Sequence, residues 1–213
     1  MRTTSKPTNF KFVFLVLCVS FYCLTIKAQS YDIDLLRKIN HSYTESTGSV
    51  MWGISESITP VAIATPLSVF VIAWIKKDRK IVLKGLEIAS AEIISSLITT
   101  PLKLGIKRER PFVTHTDIEK HSTGGSYSFP SGHTSMAFAT ATSLSMVYPK
   151  WYVIIPSFTY ASLMGYSRMY LGVHYPSDVL IGALIGSGSA YLSHYLYQKF
   201  TKDKTISSTV NLY

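Results

Sequence analysis

From Gly165 to Asp178 the chain reads GYSRMYLGVHYPSD, which sets a guanidinium at Arg168, an imidazole at His174 and a carboxylate at Asp178 in one short connection expected to be non-helical. The trio suits phosphoryl transfer. An imidazole attacks phosphorus through a neutral ring nitrogen, and an acceptor on the other nitrogen fixes the tautomer that leaves the attacking atom free. A guanidinium fork matches phosphate oxygens in shape and charge. Attack by His174 would form a phosphohistidine, with Asp178 stabilising the imidazolium that develops. Standing alone, the trio also fits a solvated loop, and Asp178 fits a helix cap after Pro176.

Two upstream stretches supply what the trio lacks. In KLGIKRERP, Lys103 and Arg110 lie seven residues apart, nearly two helical turns, so both project toward one anion if the helix persists to Pro111. Lys107, Arg108 and Glu109 are then expected to face elsewhere. A positive cap on a helix C-terminus is the alternative. In SFPSGHTSM, Ser131 occupies an N-cap position and Gly132 lets backbone approach a ligand, so first-turn amides and the helix dipole make an anion seat. His133, in that turn, can protonate a leaving oxygen. Lys103, Arg110 and Arg168 would share the three equatorial oxygens.

The elements that must carry these residues are membrane helices. In 213 residues, 47% are hydrophobic and 15% charged, and the mean hydropathy is +0.22. Soluble domains carry nearer a quarter charged residues. The formal charge of +9 does not point to nucleic acid, because the basic residues form no continuous stripe. Both cysteines, Cys18 and Cys23, fall in the N-terminal apolar run, which leaves no cysteine site for the rest of the chain. Residues 1–28 read as an export signal or N-terminal anchor: Arg2, Lys6 and Lys11 precede the run from Phe12 to Ile26, and Ala28 offers a cleavage position. Residues 29–57 read as amphipathic interfacial segments, a packing collar without chemistry.

Residues 58–200 hold the spans: Ile58 to Ile75, about Ile81 to Leu104, Gly132 to Tyr148, Tyr152 to about Ser167, and Asp178 to Phe200. A polar tail, 201–213, follows. Lys76, Lys77, Arg79, Lys80 and Lys84 mark the cytoplasmic side, so Lys103 to His133 and Arg168 to Asp178 share the outer face. Glu87 and Glu92 are expected to be satisfied groups of the bundle interior, and His115 and His121 solvated loop residues. Gly182, Gly186 and Gly188 give the last span a small-residue face for tight packing.

Taken together, Lys103 with six residues before Arg110-Pro111, then Pro130-Ser131-Gly132-His133, then Ser167-Arg168 with five residues before His174 and three before Asp178, resemble the three signature motifs of the type 2 phosphatidic acid phosphatase superfamily. All eleven specified positions match, and the resemblance covers about Ile58 to Phe200. It implies an all-α membrane bundle of about five to six helices and hydrolysis through a phosphohistidine, with no metal and no cofactor. His174 would be the nucleophile, Asp178 its partner and His133 the acid, while Lys103, Arg110, Ser131, Gly132 and Arg168 hold phosphate.

The expected partners are a lipid phosphate substrate and membrane lipids, with the oligomeric state open. Lipid A, undecaprenyl diphosphate, phosphatidylglycerol phosphate and phosphatidic acid are the implied substrate candidates, acted on at the periplasmic or exterior face of a bacterial inner membrane. Lipid A ranks slightly first, because the short loop from Phe112 to Phe129 suits a bulky head group. Vanadate-dependent halide oxidation or phosphate transfer on the same site, and a non-catalytic membrane protein retaining the fold, are the alternatives.

Overall fold

The computed structural model describes the backbone of residues 30–210 and side chains as far as Lys199. The expected export signal lies outside the described residues. Helix α1 covers 30–40, and α2 (Glu45–Glu56) follows, its N-cap Thr44 accepting from the Thr47 amide. Helices α3 (Ile58–Lys76) and α4 (Arg79–Ile106) form a hairpin whose turn is set by Asp78, which caps α4 by accepting from the Lys80 amide at 2.8 Å. The short α5 (Pro111–Thr114) precedes the outer loop, and α6 (Gly132–Val147), α7 (Trp151–Tyr170) and α8 (Pro176–Val210) complete the chain.

The central helix is α6, which packs against α8, α7, α4 and α3. Its alanines and small hydroxyls let neighbours come close. A Cβ added at Gly182 would lie 2.7 Å from the Ser131 carbonyl oxygen, and one at Gly186 only 2.1 Å from that of Ser135. Gly182 and Gly186 are therefore the small face of α8 against α6, whereas Gly188 meets nothing within 4 Å and takes no part. Hydroxyls bridge α4 to α6, where Ser95 and Thr99 both reach Ser135 at 2.5 and 3.1 Å. The two acids of α4 are paired as expected: Glu92 accepts from Thr140 Oγ1 at 2.7 Å, and Glu87 bonds His194 Nδ1 at 2.6 Å.

Large apolar side chains cover the outside of the bundle. Ile63, Leu67, Ile93, Leu97, Leu180 and Leu184 are all more than half exposed, an arrangement stable in hydrocarbon rather than water. Helix α3 and residues 176–199 of α8 are each long and apolar enough to cross a membrane. Trp74, Trp151 and Tyr152 sit exposed at the end of the bundle where α3 finishes and α7 starts, and Lys84 lies over the Tyr148 ring there at 4.6 Å. Aromatic and basic residues gathered at one end suit a membrane interface. The motif residues gather at the opposite end.

Candidate active site

Three chain reversals at that end build the site. The first corrects an expectation. Helix α4 stops at Ile106, and Lys107 takes a left-handed conformation at φ 52°, so Lys103 and Arg110 do not share a helix face. The turn instead swings the chain across the top of the bundle. Lys107 and Glu109 stay exposed, but Arg108 turns inward.

Lys103 remains on α4 and donates to the carbonyls of Tyr127 at 2.8 Å and Pro130 at 2.9 Å, which ties it to the start of α6. Arg110 is 6% exposed and donates through Nη1 to Val173 O at 2.8 Å, through Nε to Ser126 O at 3.1 Å and through Nη2 to Tyr127 O at 3.4 Å. Its Nη1 also lies 3.4 Å from His174 Nε2, so this guanidinium borders the candidate attacking nitrogen.

The second reversal is the start of α6. Ser131 is the N-cap residue by position, but its hydroxyl bonds Thr134 Oγ1 at 2.9 Å and its amide donates to Asp178 O at 3.0 Å. The expected anion seat therefore rests on the amides of Gly132 and His133, which as first-turn groups have no acceptor within the helix. His133 is half-buried, and the charges of Arg168, Arg110 and Lys103 all act on its ring.

The third reversal joins α7 to α8. Helix α7 continues to Tyr170, so Arg168 stands in its last helical turn rather than in a non-helical connection, and Asp178 stands in the first turn of α8. Pro176 at the first helical position fixes that start, and Asp178 Oδ2 reaches back to the amide of Tyr175 at 3.0 Å, a reciprocal cap. Asp178 is fully buried and crowded with donors. Its Oδ1 accepts from Arg108 Nη1 at 2.7 Å, its Oδ2 accepts from Ser128 Oγ at 2.5 Å, and His174 Nδ1 lies 3.5 Å from Oδ2.

Burial governs His174. The ring is 2% exposed, and desolvation pushes it down from 6.5 to about 3; Asp178 opposes the shift, while Arg110 and Arg168 add to it. At neutral pH the imidazole is uncharged, with Nδ1 toward Asp178 and Nε2 toward Arg110.

Arg168, 1% exposed, bonds Ser55 Oγ from α2, and at 3.4 Å both Ser122 Oγ and the Thr123 carbonyl. Its Nε has no hydrogen-bond partner among the described residues. A buried guanidinium N–H without an acceptor is costly and fits a group that receives an anion.

Residues outside the motifs also enter the site region, among them Asp32, Ser55, Arg108, Ser122 and Ser128. Asp32 and Ser55 come from the segment read as a packing collar without chemistry, and both reach arginines of the site region. Asp32 accepts from Arg108 Nη2 at 2.8 Å, and Ser55 holds Arg168. Their partners lie 76 and 113 residues away, so no local spacing signals them. His121 is also no free loop residue: its ring stacks on Tyr43 with centroids 3.5 Å apart and an interplanar angle of 6°.

An apolar groove of about 950 Å³, open along the outside of the bundle, runs beside this cluster between α3, α4 and α6. Ile63, Leu67, Ile93, Leu97 and Met136 line it, and Lys103, Gly132 and His133 lie on its wall. His133 is thus shared between the polar cluster and an apolar groove.

Residues 84–202 match the family model described as PAP2 superfamily. An undecaprenyl-diphosphatase of Sulfolobus acidocaldarius is 30% identical over 188 residues, 84% of this chain and 86% of that protein. A lipid A 4'-phosphatase of Bacteroides thetaiotaomicron is 33% identical over 93 residues, 44% of this chain and 41% of that protein. Among solved structures, a transmembrane PAP2-type phosphatidylglycerolphosphate phosphatase from Bacillus subtilis superposes with a TM-score of 0.68 at 27% identity, covering 91% of this chain and 96% of the other.

Proposed function

The chain belongs to the PAP2 superfamily of membrane phosphatases, and from that premise we propose that it removes a phosphate from a lipid whose apolar part lies between α3, α4 and α6. The position of His133 carries this reading. Only one of the two histidines, His133, lines the apolar groove, while His174 is buried on the Arg110 side. An in-line displacement needs the nucleophile and the leaving oxygen on opposite faces of phosphorus, and the apolar groove holds the leaving lipid.

His174 Nε2 forms a bond to phosphorus as the bond to the lipid oxygen breaks, and His133 gives that oxygen a proton. Lys103, Arg110, Arg168 and the amides of Gly132 and His133 take up the charge on the three equatorial oxygens. The proton on Nδ1 stays on the ring, facing Asp178 and Ser128, each at 3.5 Å. Water, deprotonated by His133, then breaks the phosphorus–nitrogen bond and frees phosphate.

The active end faces the periplasm or cell exterior, opposite the Lys76 to Lys84 cluster, and the membrane is the bacterial inner one. Lipid A is the first substrate to try and undecaprenyl diphosphate the second, in keeping with the relatives that carry those names.

The test is phosphate release by the purified chain in vesicles holding each lipid, against a water-soluble aryl phosphate. The lipids are expected to be hydrolysed with a kcat/KM at least about 100-fold higher, a difference set by binding remote from the phosphate. Met136→Trp, which narrows the groove from its floor on α6, should cut lipid turnover and spare the aryl phosphate. No phosphate release from any lipid, or equal losses on both substrates in the narrowed variant, contradicts the reading.

A further inference from the structure

The buried carboxylate behind His174 is paired with a cation that the signature motifs do not include. Arg108 Nη1 donates to Asp178 Oδ1 at 2.7 Å and to Ser177 Oγ at 2.7 Å, and its Nη2 donates to Asp32 Oδ2 at 2.8 Å. Ser177 closes the ring by donating to Asp32, from its amide to Oδ1 at 2.8 Å and from its hydroxyl to Oδ2 at 2.5 Å. The guanidinium also lies over the face of Tyr175, 3.8 Å from the ring centroid. Every contact requires a planar, two-armed cation, which lysine cannot reproduce.

We propose that Arg108, itself held by Asp32 of α1, is a positioning residue that anchors Asp178 away from the phosphate seat and keeps one carboxylate oxygen turned to His174. The reasoning is electrostatic and rests on the phosphatase reading. A carboxylate free to rotate beside Lys103, Arg110 and Arg168 would pair with one of them and occupy the seat meant for phosphate. A fourth cation on the far side removes that option. Arg108 takes Oδ1, Ser128 and the Tyr175 amide orient Oδ2, and His174 Nδ1 faces the oxygen so oriented. Asp32 in turn prevents Arg108 from swinging into the anion site, and α1 thereby becomes part of the catalytic apparatus through two intermediaries.

The test uses the full chain with a lipid phosphate. Arg108→Lys keeps the charge but loses one arm, and kcat should fall about 10- to 100-fold with KM changed less than about threefold. Asp32→Asn should lower kcat in the same manner but less, and the double variant should lose no more than Arg108→Lys alone, as expected for residues acting in one chain of contacts. A second readout needs no turnover: in Arg108→Gln the NMR titration of the His174 ring should move to higher pH, because a carboxylate released from its cation favours the imidazolium. A kcat within threefold of the parent in Arg108→Lys, a loss confined to KM, losses that multiply in the double variant, or an unmoved His174 titration would each overturn the proposal. A parent chain that releases no lipid phosphate overturns the functional reading instead, and the titration still decides the role of Arg108.

Discussion

His174 is kept neutral, the state that the proposed attack on phosphorus needs, by where it sits more than by what it touches. Burial holds the ring neutral, and Asp178, 3.5 Å away, works against the shift without reversing it. The sign of the pH dependence follows from this. An unfolded histidine binds its proton near pH 6.5, whereas the folded ring does so only near 3, so the unfolded state takes up more protons between those values and stability falls as pH drops through 6.5. At about pH 5 the cost from this residue alone is about 2 kcal/mol. The contribution of this ring should therefore lower the thermal midpoint in detergent from neutral pH to about pH 5, and His174→Asn should make that fall smaller than in the parent; an equal fall in both proteins would mean the ring is protonated in the folded state. The nearness of His174 to Asp178 and Arg168 was legible because residue types and spacing signalled it. Arg108 was not, because the left-handed turn at Lys107, which decides which way Arg108 points, has no glycine to announce it.

At the level of elements, the five long helices among the described residues fall within a few residues of the spans expected from hydropathy and basic clusters, except that α8 runs on to Val210. Helix ends matter because they aim side chains: α4 stops at Ile106, short of Pro111, which parts Lys103 from Arg110, and the continuation of α7 to Tyr170 makes Arg168 helical. The α6–α8 contact sets how His133 and Asp178 approach one another, since both stand in first turns of those helices. Gly186→Val should separate them. Its Cβ would meet the Ser135 carbonyl oxygen at 2.1 Å and the Ala139 amide at 2.8 Å, an overlap costing about 1–3 kcal/mol or more and lowering both the thermal midpoint and turnover. Gly188→Ala meets nothing within 4 Å and should be neutral or raise stability by about 0.5–1 kcal/mol. Equal tolerance at both positions would show that α6 and α8 do not pack as described.

Across the whole molecule, charge and apolarity are sorted to opposite tasks. One end gathers Lys103, Arg110 and Arg168, the other basic and aromatic residues suited to a membrane interface, and the apolar groove runs along the bundle from the first. The N-terminal segment was the least legible part, because Asp32 and Ser55 act through partners brought near only by the closed fold. Single cysteines placed at the exposed Thr116 and Lys80 test the orientation: the first should label from outside intact cells and the second only after the membrane is opened, and the reverse pattern would invert the topology. The central claim is that Lys103, His133 and His174 surround one phosphate and that His174 takes it covalently. Its most direct measurement is mass spectrometry of the enzyme stopped in alkali during turnover of a lipid phosphate, conditions that preserve a phosphorus–nitrogen bond. The account predicts a phosphoryl group on His174 in the peptide containing residues 169–178. Turnover with the phosphoryl group on another residue, or turnover undiminished in His174→Ala, would contradict it.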